Sequence, residues 1–167
     1  MISKIIVAQL RPHLDSLISP YQATFVPSRK GVDNAIIVQE LVYTIGRMKG
    51  SRVAMAIKVD LEKAYDKIEW SFIREMLIKF NFPQNLIELI MSCVTLVLTF
   101  ILFNGGCLET FSPSRSIRQG DPLSPYLFIM CMEYLRYLIE EKCTARMWNP
   151  IKASRSGPTF SYLFFCR

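Results

Sequence analysis

The chain has 167 residues, of which 51% are hydrophobic and 20% charged, and its formal net charge is +6. This composition excludes a disordered chain, and the length allows one domain with a buried core. The most apolar run, 94–103, is too short to span a bilayer, and the N-terminus lacks the order of a signal peptide. We therefore expect a soluble, intracellular protein without membrane contacts.

The cysteines and the single histidine form no zinc-binding pattern. Five cysteines occur without a CxxC pair, and His13 has no partner of ligand type nearby, so we expect reduced, buried thiols. The excess positive charge favours a polyanionic partner, nucleic acid first, although solvated basic faces are common. It is concentrated in three clusters: Arg47, Lys49 and Arg52; Arg115 and Arg118; and Lys142, Arg146, Lys152 and Arg155.

Apolar residues at helical spacing predict helices in both halves of the chain. A first helix is expected over 2–17, before Ser19-Pro20, and a second from an Asp33 N-cap to about Met48. Asp66 with Glu69 resembles a capping box ahead of a helix whose apolar stripe ends at Phe80.

Prolines mark the start of two further helices. Pro83 is expected to begin a helix that ends near Val94. Ser124-Pro125 reads as an N-cap followed by proline at the first helical position, ahead of a long buried helix to Lys142.

Strand patterns lie between these helices. Leu96 to Phe103 and Cys107 to Phe111 flank an Asn-Gly-Gly turn and predict a hairpin. A terminal strand is expected from Thr159 to Phe165, and another from Val53 to Asp60. Together these elements predict one α+β unit.

Asp60 is placed at the carboxyl end of the predicted strand. A period of two puts it on the same face as Ala54, Ala56 and Lys58, away from the larger apolar side chains. A carboxylate above small neighbours could hold a cation or contact a ligand. The alternative is an aspartate that ends the strand and starts a turn.

Two segments, KVDLEKAYDKIEW at 58–70 and RQGDPLSPYLF at 118–128, closely resemble the reverse transcriptases of non-LTR retrotransposons, especially the LINE-type elements common in plants. The similarity extends to LISPYQATFVPSRKGVDN at 17–34, which looks like a finger segment, and to SRSGPTFSYLFF at 154–165. The resemblance implies a partial right-hand polymerase fold over 1–167, with fingers and part of the palm but no thumb.

The chemistry implied by the resemblance is RNA-directed DNA synthesis. Its partners would be an RNA template, a DNA primer and deoxynucleoside triphosphates, and its cofactor two magnesium ions that assist nucleotidyl transfer. In this reading Asp60 is the catalytic carboxylate and first metal ligand, and the backbone carbonyl of Leu61 is a second ligand.

The resemblance also implies a nucleotide-binding set. Tyr65 matches the position of an aromatic ring that crowds the sugar 2′ position and rejects ribonucleotides; the alternative is a packed core aromatic. Arg118, Gln119 and Gly120 match the segment beside the incoming nucleotide and template. Arg29 is assigned to the triphosphate or the template backbone, or else it is a solvated loop arginine.

The sequence departs from the family pattern at its end. The family continues with Ala-Asp-Asp, whereas this chain reads Phe165-Cys166-Arg167. Because one carboxylate cannot hold two closely spaced divalent ions, we expect a truncated domain that is catalytically inactive.

Three other functions remain open. The chain could be a basic nucleic-acid-binding fragment without catalysis, or the product of a decayed element with no selected function. A group II intron maturase is a related alternative, although the RQGDPLSP motif resembles the LINE-type elements more closely.

Overall fold

The computed structural model describes residues 1–27, 29–48, 54–98, 100–154 and 157–164. Helices dominate these ranges and are accompanied by two short antiparallel hairpins, so the α+β prediction is confirmed as a mixture of helix and strand. None of the helices found there is long and apolar enough to cross a membrane.

Seven α-helices and four strands make up the described chain. The helices are α1 (Ile2–Leu10), α2 (Leu14–Leu17), α3 (Gly31–Arg47), α4 (Ala64–Lys67), α5 (Trp70–Lys79), α6 (Gln84–Thr95) and α7 (Ser124–Thr144). The strands are β1 (Leu102–Phe103), β2 (Gly106–Cys107), β3 (Ile151–Lys152) and β4 (Thr159–Phe160), paired as β1 with β2 and β3 with β4. The chain divides into two compact units, 1–12 with 61–131 and 13–60 with 132–167.

The first unit is built around the consecutive helices α5 and α6, and α1 packs against α6. Apolar residues spaced three and four apart give each helix one buried stripe. On α5 these are Ile73, Met76 and Leu77, and on α6 they are Ile87, Ile90 and Met91. The stripe predicted for α5 is therefore confirmed, and α6 begins after Pro83 as predicted.

The second unit contains α2, α3, the β3–β4 hairpin and the end of α7. Its loop 18–27 is held by Asn34, whose buried side-chain amide donates to the carbonyl oxygens of Tyr21 and Phe164 at 2.8 and 2.9 Å. The Tyr21 ring packs edge-on against Phe160 and Tyr162. This aromatic cluster fixes a segment that has no regular secondary structure of its own.

The strand predicted over Val53–Asp60 is wrong in its described part, 54–60, which has no regular secondary structure. The side chains of Met55, Ile57 and Val59 are between 61% and 73% exposed, so the alternation separates no buried face. A strand forms only when a neighbouring strand satisfies its backbone N–H and C=O groups, and the described chain supplies none here. Val53 lies outside the described residues.

The other predicted strands are shorter than expected. The hairpin turn at Asn104-Gly105 is confirmed, with φ angles of 48° and 80°, but the paired strands contain only two residues each. The terminal strand pairs with β3 over Thr159–Phe160, and Phe164 forms an isolated parallel bridge with Gln22. Phe165 lies outside the described residues.

Three predicted helix boundaries are wrong. The helix expected over 2–17 is interrupted by a 3₁₀ turn at Arg11–His13, because Pro12 has no N–H for an α-helical hydrogen bond. The N-cap position of α3 is Lys30, which places Asp33 in the first turn. Asp66 lies inside α4 and does not cap α5, whose N-cap residue is Glu69.

Candidate functional site

Residues Arg118, Gln119 and Gly120 form an exposed turn directly before α7. The Asp121 N–H donates to the Arg118 carbonyl at 3.3 Å, and Gly120 has a φ of +86°, which glycine adopts without side-chain strain. Asp121 Oδ1 accepts the Leu123 N–H at 2.8 Å, so this carboxylate turns the chain and starts the helix, as predicted.

Tyr65 lies beside this turn, within the same unit. Ile117, the residue before Arg118, donates its N–H to the Tyr65 carbonyl at 2.9 Å. The Tyr65 ring stacks on the buried Phe128 ring of α7, with 5.1 Å between centroids and 17° between planes. Two segments far apart in sequence thus meet, and the ring is held in one orientation. The predicted core packing of Tyr65 is present, and it also supplies the fixed ring that steric selection would need.

The residues that hold these segments together were not identified from the sequence. The Trp70 indole N–H donates to the Ser116 carbonyl at 2.7 Å, and the Ser116 N–H donates to the Ile68 carbonyl at 2.8 Å. Ser116 has a φ of +90°, which is unusual for a residue other than glycine. The sequence signals are that Trp70 ends the first family-like segment and Phe128 ends the second, where Phe128 is also one of the apolar residues of the predicted buried helix.

The surface around the turn carries exposed charges of both signs. The cations Lys63, Lys67, Arg115 and Arg118 lie on the segments joined by these hydrogen bonds, and so do the acids Asp60, Glu62, Asp66 and Glu69. Lys67 has an exposed ion pair with Glu62 at 3.9 Å, which is worth little in water. The two exposed arginines, which carry planar sets of donors, can each contact a phosphate group beside the fixed Tyr65 ring and the Gln119 amide.

Asp60 and Leu61 are exposed and lie in irregular backbone. Among the described residues Asp60 has no hydrogen-bond or ion-pair partner. The described ranges also contain no group of three or more His, Cys, Asp or Glu side chains that could hold a metal ion. Within the described ranges the Asp60 carboxylate is therefore unpaired and belongs to no site with three or more such ligands.

The Arg29 side chain makes several contacts within its own unit. Its side chain is 17% exposed and donates to the carbonyl oxygens of Ser19, Gln22 and Ile18, the last two at 3.0 and 3.2 Å. It also pairs with Asp15 at 2.9 Å. The structure gives Arg29 the role of closing the loop 18–22; its contact with a nucleotide or template stays a prediction.

Residues 1–157 match the family described as reverse transcriptase (RNA-dependent DNA polymerase). The chain belongs to this family. The matched range contains every residue to which the resemblance assigns a role: Arg29, Asp60, Leu61, Tyr65 and the 118–120 turn.

Retrotransposon proteins are among the relatives of this reverse transcriptase domain. It is 31% identical over 146 residues to the Pol polyprotein of a type-2 retrotransposable element of Drosophila melanogaster, covering 86% of this chain and 14% of that protein. Over 144 residues it is 24% identical to an uncharacterized 149 kDa protein of transposon TX1 from Xenopus laevis, covering 86% and 11%. These relatives confirm the non-LTR retrotransposon part of the resemblance.

An uncharacterized mitochondrial protein of Arabidopsis thaliana is 43% identical over 68 residues, covering 41% of this chain and 55% of that protein. The reverse transcriptase domain thus spans between about a tenth and about half of the length of these relatives.

A cluster of polar and charged side chains, formed by Ser19, Glu133, Arg136, Glu140 and Tyr162, lies in the unit of this reverse transcriptase domain that comprises 13–60 and 132–167. Glu133 is buried, accepts the Ser19 N–H and pairs with Arg136, which also pairs with Glu140. Its Oε2 atom has no partner among the described residues, and burial raises the pKa of this carboxyl group. Ser19 also shares a 2.8 Å hydrogen bond with the Tyr162 hydroxyl. The group packs α7 against the 18–21 loop.

Proposed function

We propose that this chain contributes to RNA-directed DNA synthesis by a non-LTR retrotransposon protein, of the LINE type found in plants. Its surface at α4 and the 118–120 turn would bind an RNA template, a DNA primer and a deoxynucleoside triphosphate. The observation that carries the proposal is the 2.9 Å hydrogen bond from the Ile117 N–H to the Tyr65 carbonyl. It joins the two family-like segments at one exposed surface that includes Arg115 and Arg118.

Each residue of this surface has a chemical role in the proposal. The Tyr65 ring, fixed by Phe128, excludes a 2′-hydroxyl by steric clash. Arg118 supplies a planar set of donors to a phosphate, and the Gln119 amide donates to a base or sugar. Gly120 lets the backbone approach the nucleotide closely because it has no Cβ.

The family generally uses divalent metal ions, and in the proposal Asp60 and the Leu61 carbonyl are ligands of magnesium. Magnesium prefers oxygen ligands and is usually held by one or two carboxylates together with substrate phosphates. The described residues contain no group of three or more His, Cys, Asp or Glu side chains that could hold a metal ion, so they do not fit a two-ion centre. Asp60 and Leu61 would supply only part of the coordination of one ion.

We therefore propose that these 167 residues, assayed alone, form fingers and part of a palm and do not synthesise DNA. A transition state that lacks most of its charge stabilisation loses several kcal/mol, and each ~1.4 kcal/mol is a factor of ten in rate. RNA-templated primer extension with magnesium and no other protein is the direct measurement. Clear extension that disappears in Asp60→Asn would contradict the proposed inactivity.

Binding tests the proposed surface independently of catalysis. A fluorescent DNA primer annealed to an RNA template is titrated with the chain at several salt concentrations. We expect Arg118→Ala to weaken binding and to lower the salt slope by about 1, as loss of one phosphate contact requires. The matched control is Arg74→Ala, which removes the same charge from an exposed ion pair with Glu88 on α5 and α6. Equal effects of both variants would contradict a specific role for the turn.

A non-catalytic basic nucleic-acid-binding function is the second candidate. It is favoured by the net charge of +6 together with the absence, among the described residues, of a group of three or more side chains that could hold a metal ion. Binding of RNA that is salt-dependent, needs no magnesium and survives Asp60→Asn would support this function. Binding that requires both magnesium and Asp60 would support the polymerase function.

A further inference from the structure

The end of α7 and the strand β3 carry charges of one sign. From residue 142 onward the sequence contains no aspartate or glutamate but five cations: Lys142, Arg146, Lys152, Arg155 and Arg167. The first three are exposed, whereas the last two lie outside the described residues. Most of the net charge of +6 therefore comes from this part of the chain.

The turn after α7 brings two of these cations to an exposed aromatic residue. The Lys142 carbonyl accepts the N–H groups of Met147 and Trp148 at 3.0 and 3.2 Å, and the Cys143 carbonyl accepts the Arg146 N–H at 3.0 Å. The backbone of Trp148 is thus tied to the last turn of the helix, and Arg146 lies in the turn between them. Trp148 is 42% exposed.

Arg146 occupies a backbone position that favours glycine. Its φ is +57°, in the left-handed region, and the hydrogen bonds around it are those of a Schellman motif, in which glycine usually follows the helix. Any Cβ at this position crowds the backbone. Among the described residues the side chains of Lys142, Arg146 and Lys152 have no hydrogen-bond or ion-pair partner. An arginine that the turn does not need points to a role for its guanidinium outside the turn.

Acidic groups of α7 offset only part of this charge. Glu140 is paired with Arg136, so Glu141 is the exposed carboxylate of the last turn without such a pair. The three exposed cations therefore outweigh Glu141.

Helix α3, which contacts the chain beside β3, adds one charge of each sign. The Thr44 hydroxyl donates to the carbonyl of Ala153, the residue after Lys152, at 3.2 Å. Glu40 and Arg47 are exposed about one turn to either side of Thr44. Because their charges are opposite, α3 leaves the positive balance of the surface unchanged.

We propose that the end of α7, the turn after it and β3 bind a single-stranded segment of nucleic acid without regard to its base sequence. Lys142, Arg146 and Lys152 contact its phosphates, and the Trp148 ring stacks on a base. Unpaired cations beside an exposed aromatic ring are the combination that single-strand binding surfaces use. The site lies in a different unit from Tyr65 and the 118–120 turn and takes an unpaired strand, so it goes beyond the proposed function.

Binding of oligouridine of about 12 nucleotides, which forms no stable duplex, tests the site. Tryptophan fluorescence reports stacking, and the anisotropy of a fluorescein label reports affinity at several salt concentrations. We expect oligouridine to quench the tryptophan emission. Trp148→Leu should remove this quenching and weaken binding at least about fivefold, as loss of one base stack requires. Arg146→Gly and Lys152→Gln should each lower the salt slope by about 0.7, the value for one phosphate of a single strand.

Three controls separate this site from other causes of weaker binding. Lys30→Gln removes an exposed cation of the same unit at the other end of α3, about 20 Å along the helix from Thr44, and should leave the salt slope unchanged. Arg146→Gly introduces the residue usual at that position, so its urea midpoint should not fall below that of the wild type. Quenching should persist in Arg118→Ala, because that residue belongs to the proposed primer-template surface.

Three results would overturn the proposal. The first is equal effects of Lys30→Gln and Lys152→Gln on the salt slope, and the second is quenching that Trp148→Leu leaves intact or that Arg118→Ala removes. The third is an RNA duplex of the same length that binds as tightly as oligouridine and quenches Trp148 equally, because the bases of a duplex are not free to stack on the indole.

Discussion

Arg29→Met is the substitution that most directly separates a structural role from a ligand-binding role. Arg29 makes hydrogen bonds to three carbonyl oxygens and one ion pair with Asp15, whose side chain is 75% exposed. Methionine keeps much of the apolar stem but removes every donor. The three carbonyl bonds contribute about 1 kcal/mol each, and the exposed ion pair less than about 1 kcal/mol. We expect the free energy of unfolding to fall by about 3 kcal/mol.

Urea titrations followed by circular dichroism measure this loss, and two further variants divide it into its parts. Asp15→Asn removes only the ion pair and should cost less than about 1 kcal/mol. Arg29→Lys keeps the charge but loses the planar fork of donors, so it should cost about 2 kcal/mol. Nucleic-acid binding of the folded Arg29→Lys protein should be unchanged.

A different pattern would refute the structural role. In that pattern Arg29→Met lowers the free energy of unfolding by less than about 1 kcal/mol, and the folded variant binds primer-template more weakly with a lower salt slope. These results would mean that the Arg29 guanidinium contacts a phosphate and that the 18–22 loop does not depend on it.

Three further predictions follow from individual residues. Gly120→Ala should lower the free energy of unfolding by about 1 kcal/mol in urea titrations, because φ is +86° there. Among the four described cysteines, the exposed Cys107 should react fastest with iodoacetamide, by mass spectrometry, and Cys131 slowest, because burial raises its pKa to about 12. Burial also raises the pKa of the Glu133 carboxyl group, so the folded chain binds the carboxyl proton more tightly than the unfolded chain does. The contribution of Glu133 to the free energy of unfolding therefore falls as the pH rises from its pKa in the unfolded chain to its pKa in the folded chain. Glu133→Gln removes this slope, so its free energy of unfolding relative to the wild type should increase from about pH 4 to about pH 7 in urea titrations.

The features that the sequence predicted well depend on neighbouring residues. Helices α5 and α6 follow from apolar residues three and four apart and from Pro83 between them. The Asn104-Gly105 turn follows from two residues that tolerate positive φ angles. In both cases the chain within about ten residues contains the whole physical cause.

The features that the sequence predicted wrongly depend on distant residues. Residues 54–60 alternate as a strand would, but pairing requires another segment, and the described chain provides none. The position of Arg29 gave no sign that three carbonyl oxygens would converge on its guanidinium. For the candidate site, motif resemblance selected Tyr65 and the 118–120 turn, but only the structure showed that Trp70 and Phe128 fix them.

The hydrogen bond from the Trp70 indole to the Ser116 carbonyl also has a consequence for folding kinetics. Its two residues lie 46 positions apart, and the α5–α6 pair fills much of the chain between them. A local helix pair forms faster than a contact that must close a long loop, because loop closure costs conformational entropy before any bond compensates it. The α5–α6 pair should therefore gain hydrogen-exchange protection early during refolding, and the Tyr65 and 118–120 surface should gain it later.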